Sequence, residues 1–316
     1  MLATWAAVLL AGYIAASVLL LTYLGYDRVR FPLGTTVSGY LLVGGTLLLV
    51  AMTPAFATSG RSVLADSALP PAKRVLCAWG RACHLAAAFV IVLAVFVIAC
   101  LPLGGTDVVR LLFGVLAVAV VLGGVLAIQM GIVASVRRRW LGTALGCAAS
   151  LVLLLGPVTG APAIKAWTAD ETRGCADHIA PGGLAEVTGC AGMEPFEVAQ
   201  HNPIPTWWIV ATQPALIVAD ATPWALVSEH PSSAYPLANG LDPQTVLSSN
   251  VRAWRHEDAE PDSEGWWLEK TQTWPATWPI GLALLYGTGA LLLLLGAVRV
   301  RRNGVGAGPS LWKPGF

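Results

Sequence analysis

Charge is scarce in this chain: charged residues make up 12% of its 316 positions, about half the ~25% usual for a soluble domain. Several signatures of chemistry are missing as well. No GxxxxGK[ST] run is present to cradle a nucleotide phosphate, so any ATP hydrolysis has to come from another polypeptide. No GxSxG elbow frames a nucleophile, and no HxH or HExxH spacing presents a metal. No long basic tract with interleaved aromatics occurs, which removes nucleic acid as a partner. With no catalytic, cofactor or metal constellation in view, the chain does not read as an enzyme.

What is present is apolar. Hydrophobic residues make up 56% of the chain, and the few charges are bunched, leaving runs near the ~20 residues a helix needs to cross a bilayer. The first run is Ala3 to Leu24; no charge precedes it and it exceeds a signal-peptide core, so it reads as a retained helix. The second covers about Thr36 to Ala55. The third covers about His84 to Leu101, with a start as early as Val75 allowed, and ends at the turn signal Pro102-Leu103-Gly104-Gly105. The fourth is Val108 to Val136, followed by Arg137-Arg138-Arg139; the fifth is Leu141 to Val158, stopping at Gly156-Pro157; the sixth is Ile280 to Val298.

Orientation follows from Lys and Arg in the short loops. The loops Arg61 to Arg81 and Arg137 to Arg139, with the tail from Arg299, hold eleven bases and one acid, Asp66. The opposite short loops hold Arg28, Arg30 and Arg110 against Asp27 and Asp107. Six spans with both termini cytoplasmic satisfy this asymmetry. The expected fold is therefore mainly α, a polytopic membrane protein of six transmembrane helices. Residues 1–159 form a five-helix membrane part with a cytoplasmic segment at 56–83, and 160–277 an extracytoplasmic domain between helices five and six. Residues 278–302 form the sixth helix and 303–316 a cytoplasmic tail.

The outer segment Gly160 to Thr277 is acidic, with fifteen acids against five bases, a net of about −10, and it carries most of the tryptophans. Cys175 and Cys190 are its only cysteines. In an oxidising compartment they pair as a disulfide, closing a loop of about 15 residues for about 3 kcal/mol of local order. His178 lies three residues after Cys175, but a closed metal site needs four ligands and no second pair stands near. The other outer histidines, His201, His230 and His256, are scattered, and the acid run Glu257 to Glu264 has no spaced partner; both read as solvated surface. His84, beside Cys83 and seven residues after Cys77, reads as interfacial. Pro205 to Val227 is apolar, broken by Pro214 and Pro223, and flanked by Trp207, Trp208 and Trp224. It either dips into the outer leaflet behind an aromatic belt or forms a buried pair of elements in the outer domain. Gln129 is the one amide in the fourth span. Its alternatives are a polar contact lining a pathway and a helix–helix hydrogen bond.

Four stretches carry a resemblance. They are TPAFATSGRSVLADSALPPAKRVLCAWGRA (Thr53 to Ala82), LPLGGTDVVRLLFGVL from Leu101, TWWIVATQPALIVADATP (Thr206 to Pro223), and LLLLLGAVRVRR at the end of the last span. Together with the topology, they resemble the permease subunit of a bacterial ABC transporter of the type-2 exporter class, over roughly Thr36 to Arg302. The resemblance implies a plasma-membrane protein without catalytic or cofactor residues of its own. It implies a permease dimer, homo- or heteromeric, that works with separate ABC ATPase subunits within the lipid bilayer. It also implies that the cytoplasmic segment couples to the ATPase, with Arg61, Asp66, Lys73, Arg74 and Arg81 as the polar contacts. The plainer alternative for these bases is that they only satisfy the positive-inside rule. A non-transport alternative for the whole chain is a sensor or assembly factor that displays the Trp-rich outer domain.

Overall fold

The computed structural model describes residues 12, 33–65, 68–103, 106–136, 138–168, 173–174, 196–197, 207–222, 243–253 and 274–305. The protein is mainly helical. The elements are α1 (Leu33–Ser59), α2 (Arg61–Leu64), α3 (Pro71–Ile98), a 3-10 turn at Leu101–Leu103, α4 (Val108–Ser135), α5 (Arg139–Thr168), α6 (Trp207–Val210), α7 (Pro214–Ala221), α8 (Pro243–Ala253) and α9 (Trp278–Val305). Two short strands, β1 (Arg173–Gly174) and β2 (Phe196–Glu197), pair antiparallel with Arg173 opposite Glu197.

Five helices are long and apolar enough to cross a membrane: α1, α3, α4, α5 and α9. The expected first span, Ala3 to Leu24, lies outside the described residues except for Gly12, which is helical. The other five expected spans are all present, with helices that run past the expected limits. The third starts at Pro71, because Pro70-Pro71 supplies the fixed φ favoured at a first helical position. The whole stretch Lys73 to His84 is therefore helix. The fifth passes through Gly156-Pro157 and continues to Thr168, since one proline removes one hydrogen bond without necessarily ending a helix. The sixth continues through Arg299, Arg301 and Arg302 to Val305. Charge marks where an apolar face ends; the backbone hydrogen bonds continue beyond it.

α4 is the central helix, in contact with α1, α3, α5, α7 and α9. Its closest partner is α9, through a seam of small residues. A Cβ added to Gly289 would lie 2.7 Å from the Ala127 Cβ, one on Gly296 2.8 Å from the Ala134 Cβ, and one on Gly131 2.5 Å from the Leu292 backbone. Small side chains let two backbones approach, which is what drives helix association where lipid removes the hydrophobic incentive. α3 buries Val75, Ala78, Ala82, Ala86, Phe89, Leu93 and Val97 on one face, and exposes Ile91 and Val95 on the other. Leu294 on α9 and Val152 on α5 are each 66% exposed. So much exposed aliphatic surface fits a lipid solvent.

One end of the bundle collects Arg61, Lys73, Arg74, Arg139 and the α9 tail; the other collects Arg110, α7, α8 and the start of α9. The basic short loops counted in the sequence thus share one end.

Gly281 holds α9 against the α6–α7 pair, because a Cβ there would collide with the Ala211 carbonyl. Gly287, six residues on, faces open space. Gly281→Ala is expected to destabilise the protein by about 2 kcal/mol, while Gly287→Ala is neutral or slightly stabilising. Thermal unfolding of both variants in detergent checks the contrast.

Candidate functional site

Among the described residues, polar groups gather at three places: the basic end, the inside of the bundle and the opposite end.

At the basic end, α1 turns into α2 at Gly60, whose amide donates to the Ala57 carbonyl at 3.1 Å. A Cβ on Gly60 would stand 2.6 Å from the Ala78 carbonyl oxygen, so glycine is what lets the turn press against α3. The Arg61 guanidinium donates to the Arg139 carbonyl at 2.8 Å, and to Thr143 Oγ1 at 3.4 Å. It thereby ties α2 to the start of α5. Arg74 Nε donates to the Leu69 carbonyl at 2.7 Å, fixing the entry into α3. Lys73 and Arg81 are exposed, as are Cys77 and His84. At 100° per residue, Lys73, Cys77 and His84 line one stripe of α3, with Arg81 at its edge.

The four expected coupling residues among the described ones sit in different surroundings. Arg61 is turned into the fold, Arg74 binds its own connecting loop, Lys73 and Arg81 face outward, and Asp66 lies outside the described residues.

Inside the bundle, Pro54 interrupts α1. Proline has no N–H, so the Val50 carbonyl lacks its usual donor four residues on. Two hydroxyls replace it, Thr53 Oγ1 at 2.7 Å and Ser150 Oγ from α5 at 3.2 Å. Gln129, fully buried on α4, donates from Nε2 to Ser150 Oγ and to the Gly146 carbonyl, both at 2.9 Å. Its Oε1 rests against Gly146, where a Cβ would come within 2.6 Å. The amide singled out in the sequence thus bonds two sites on α5, as the helix–helix alternative has it. Sequence reading missed Thr53 and Ser150; the available signal was a proline within a span, preceded by threonine.

At the opposite end, Asp220 of α7 is 3% exposed. Its Oδ1 accepts from Arg252 Nε at 2.6 Å and Ser248 Oγ at 2.7 Å, both on α8. Its Oδ2 accepts from the Thr277 amide at 2.5 Å, Thr277 Oγ1 at 3.0 Å and the Trp278 amide at 3.0 Å. A carboxylate from a distant element thus caps α9, where the helix dipole favours negative charge. Gln213 caps α7 through the Leu216 amide at 2.7 Å, with Pro214 at the first helical position. Gln244 of α8 joins the network, donating to Thr222 Oγ1 at 3.3 Å and accepting from Arg110 of α4 at 2.9 Å. α7 is buried from Pro214 to Asp220 and packs on α1, α4, α8 and α9. Its proline-interrupted backbone is therefore shielded by protein, as it would have to be at membrane depth. None of Ser248, Arg252 or the capped amides was foreseen from the sequence, where nothing singles them out.

Among the described residues, no three His, Cys, Asp or Glu gather as metal ligands, and Cys77, Cys83, Cys100 and Cys147 are free thiols. Cys175, Cys190, His178, His201, His230, His256 and the acid run Glu257 to Glu264 lie outside the described residues. No protein-family model, curated protein or solved structure matches the chain.

Removing one member of a buried ion pair leaves the other charge without compensation, at about 3 kcal/mol or more. Asp220→Asn or Arg252→Met alone is expected to lower thermal stability by that amount. The double variant Asp220→Asn/Arg252→Met is expected to lose less than the sum of the two. Unfolding midpoints of the three variants and the parent protein in detergent measure the coupling.

Proposed function

We propose that this chain is the transmembrane permease subunit of a bacterial ABC exporter. It sits in the plasma membrane with both termini cytoplasmic, dimerises with an identical or related permease, and is driven by separate ATPase subunits. The observation that carries this reading is the exposed basic stripe at the start of α3. Lys73 and Arg81 stand on a single helix of 28 residues, Pro71–Ile98, about 42 Å long. That length reaches from the basic end to the opposite end. The Gly60 turn and α2 are pressed against α3, and Arg61 ties them to α5. A push on the stripe is therefore passed to α1, α3 and α5 together.

The resemblance of Thr53 to Ala82 to an ABC coupling segment supports the same assignment. Arg61 acts as an internal brace in this reading, and Lys73 and Arg81 as the contacts made with the ATPase. The α7–α8 assembly, latched by Asp220 and Arg252, acts as the exit gate. The acidic outer segment favours release of a cationic cargo through its field.

Gentle affinity purification from native membranes tests the assignment. A soluble ATP-binding subunit is expected to accompany the chain, and Lys73→Glu/Arg81→Glu is expected to release it, whereas Arg299→Glu is not. Repeated preparations with no ATPase would overturn the assignment in favour of a sensor or assembly factor.

A further inference from the structure

A cavity of about 570 Å³ opens at the basic end, between the first turn of α3 and the last turns of α9. Arg74 and Arg301 border it from two helices far apart in sequence, while Pro70, Pro71, Ala297 and Val298 give it apolar walls. The two neighbouring bases of α3 are thereby separated. Lys73 points to the exposed stripe, and Arg74 lines this cavity with its Nε anchored on the Leu69 carbonyl at 2.7 Å. That anchor uses one of five guanidinium N–H donors.

The position along α9 identifies the depth. Arg299, Arg301 and Arg302 are exposed, and the turns immediately before them expose Val298, Leu295, Leu294 and Leu291. Val298 belongs to both the cavity wall and this ridge. The cavity therefore sits where the exposed surface changes from basic to aliphatic, at headgroup level on the side that bears the positive charge. Two basic residues, Arg74 and Arg301, thus line a cavity whose Val298 wall continues into an exposed aliphatic ridge.

We propose that this cavity binds a phospholipid with an anionic headgroup, its phosphate between Arg74 and Arg301 and its acyl chains along Val298 to Leu291. The amphipathic lining favours a lipid over a water-soluble anion, because only a lipid uses both the paired charges and the adjoining apolar ridge. The inference does not depend on the exporter reading. It removes Arg74 from the surface available to an ATPase and gives it to the membrane.

Purified protein in non-ionic detergent, titrated with phosphatidylglycerol or phosphatidylcholine and read by native mass spectrometry, tests this. One phosphatidylglycerol is expected to be retained in preference to phosphatidylcholine. Arg74→Gln/Arg301→Gln is expected to weaken that retention about tenfold, with Arg74→Lys/Arg301→Lys keeping most of it. Ala72→Trp, which fills the cavity without altering charge, is expected to abolish retention and guards against misfolding of the charge variants. The control Lys73→Gln/Arg299→Gln leaves retention unchanged. The proposal is overturned if that control weakens retention equally, if both lipids bind alike, or if inorganic phosphate alone displaces the lipid. It is also overturned if Arg74→Gln/Arg301→Gln releases a co-purifying ATPase while phosphatidylglycerol binding persists.

Discussion

Asp220 receives its hydrogen bonds from two elements, α8 and the start of α9, and the end of the bundle opposite the bases is assembled around it. A carboxylate at 3% exposure is tolerated only when its charge is paired and its lone pairs are filled. Both conditions are met by residues that the chain brings from far away, Arg252 and the Thr277 and Trp278 amides. The same bonds finish the α9 N-terminus, whose amides have no partner within the helix. Through Gln244 the network extends to Arg110 on the central helix α4. Three helices, α7, α8 and α9, thus meet at one buried charge, so displacing any of them leaves an unsatisfied polar group.

The requirement that buried polar groups be satisfied repeats inside the bundle on a smaller scale. Pro54 creates an unfilled carbonyl at Val50, and hydroxyls from Thr53 and Ser150 fill it. Ser150 is in turn held by Gln129. The result joins α1, α4 and α5 by directional contacts, whereas α4 and α9 are joined by the close fit of glycine and alanine. Directional bonds specify which helices meet, and the small-residue seam specifies how closely. At the basic end the Gly60 turn and the Arg61 brace do similar work, coupling a short half-buried helix to two long ones.

Much of this was legible from residue order. Apolar runs separated by bunched charge located five helices that the structure contains, and the short-loop bases were expected on one side and lie at one end. The ends of the helices were less legible. Expected boundaries were drawn at Arg299, at Gly156-Pro157 and near His84, yet α9, α5 and α3 all run further. Those residues report where the solvent around a helix changes, and helical hydrogen bonding is indifferent to that boundary. The turn signal after the third span was legible for the opposite reason, since proline and glycine act on the backbone directly.

By itself, the sequence determined the solvent in which the chain folds, the number and order of the five described long helices, and the end at which positive charge gathers. These follow from composition and periodicity, which act locally. The tertiary structure alone decided what each charge does. Lys73 and Arg74 are neighbours in sequence, but a helix turns 100° between them, sending one to the surface and the other into a cavity shared with Arg301. Asp220 and Arg252 sit in unremarkable surroundings thirty-two positions apart and become a buried pair only because α7 and α8 pack together. Pairing across that distance is set by which faces are buried against each other, and no local pattern encodes it.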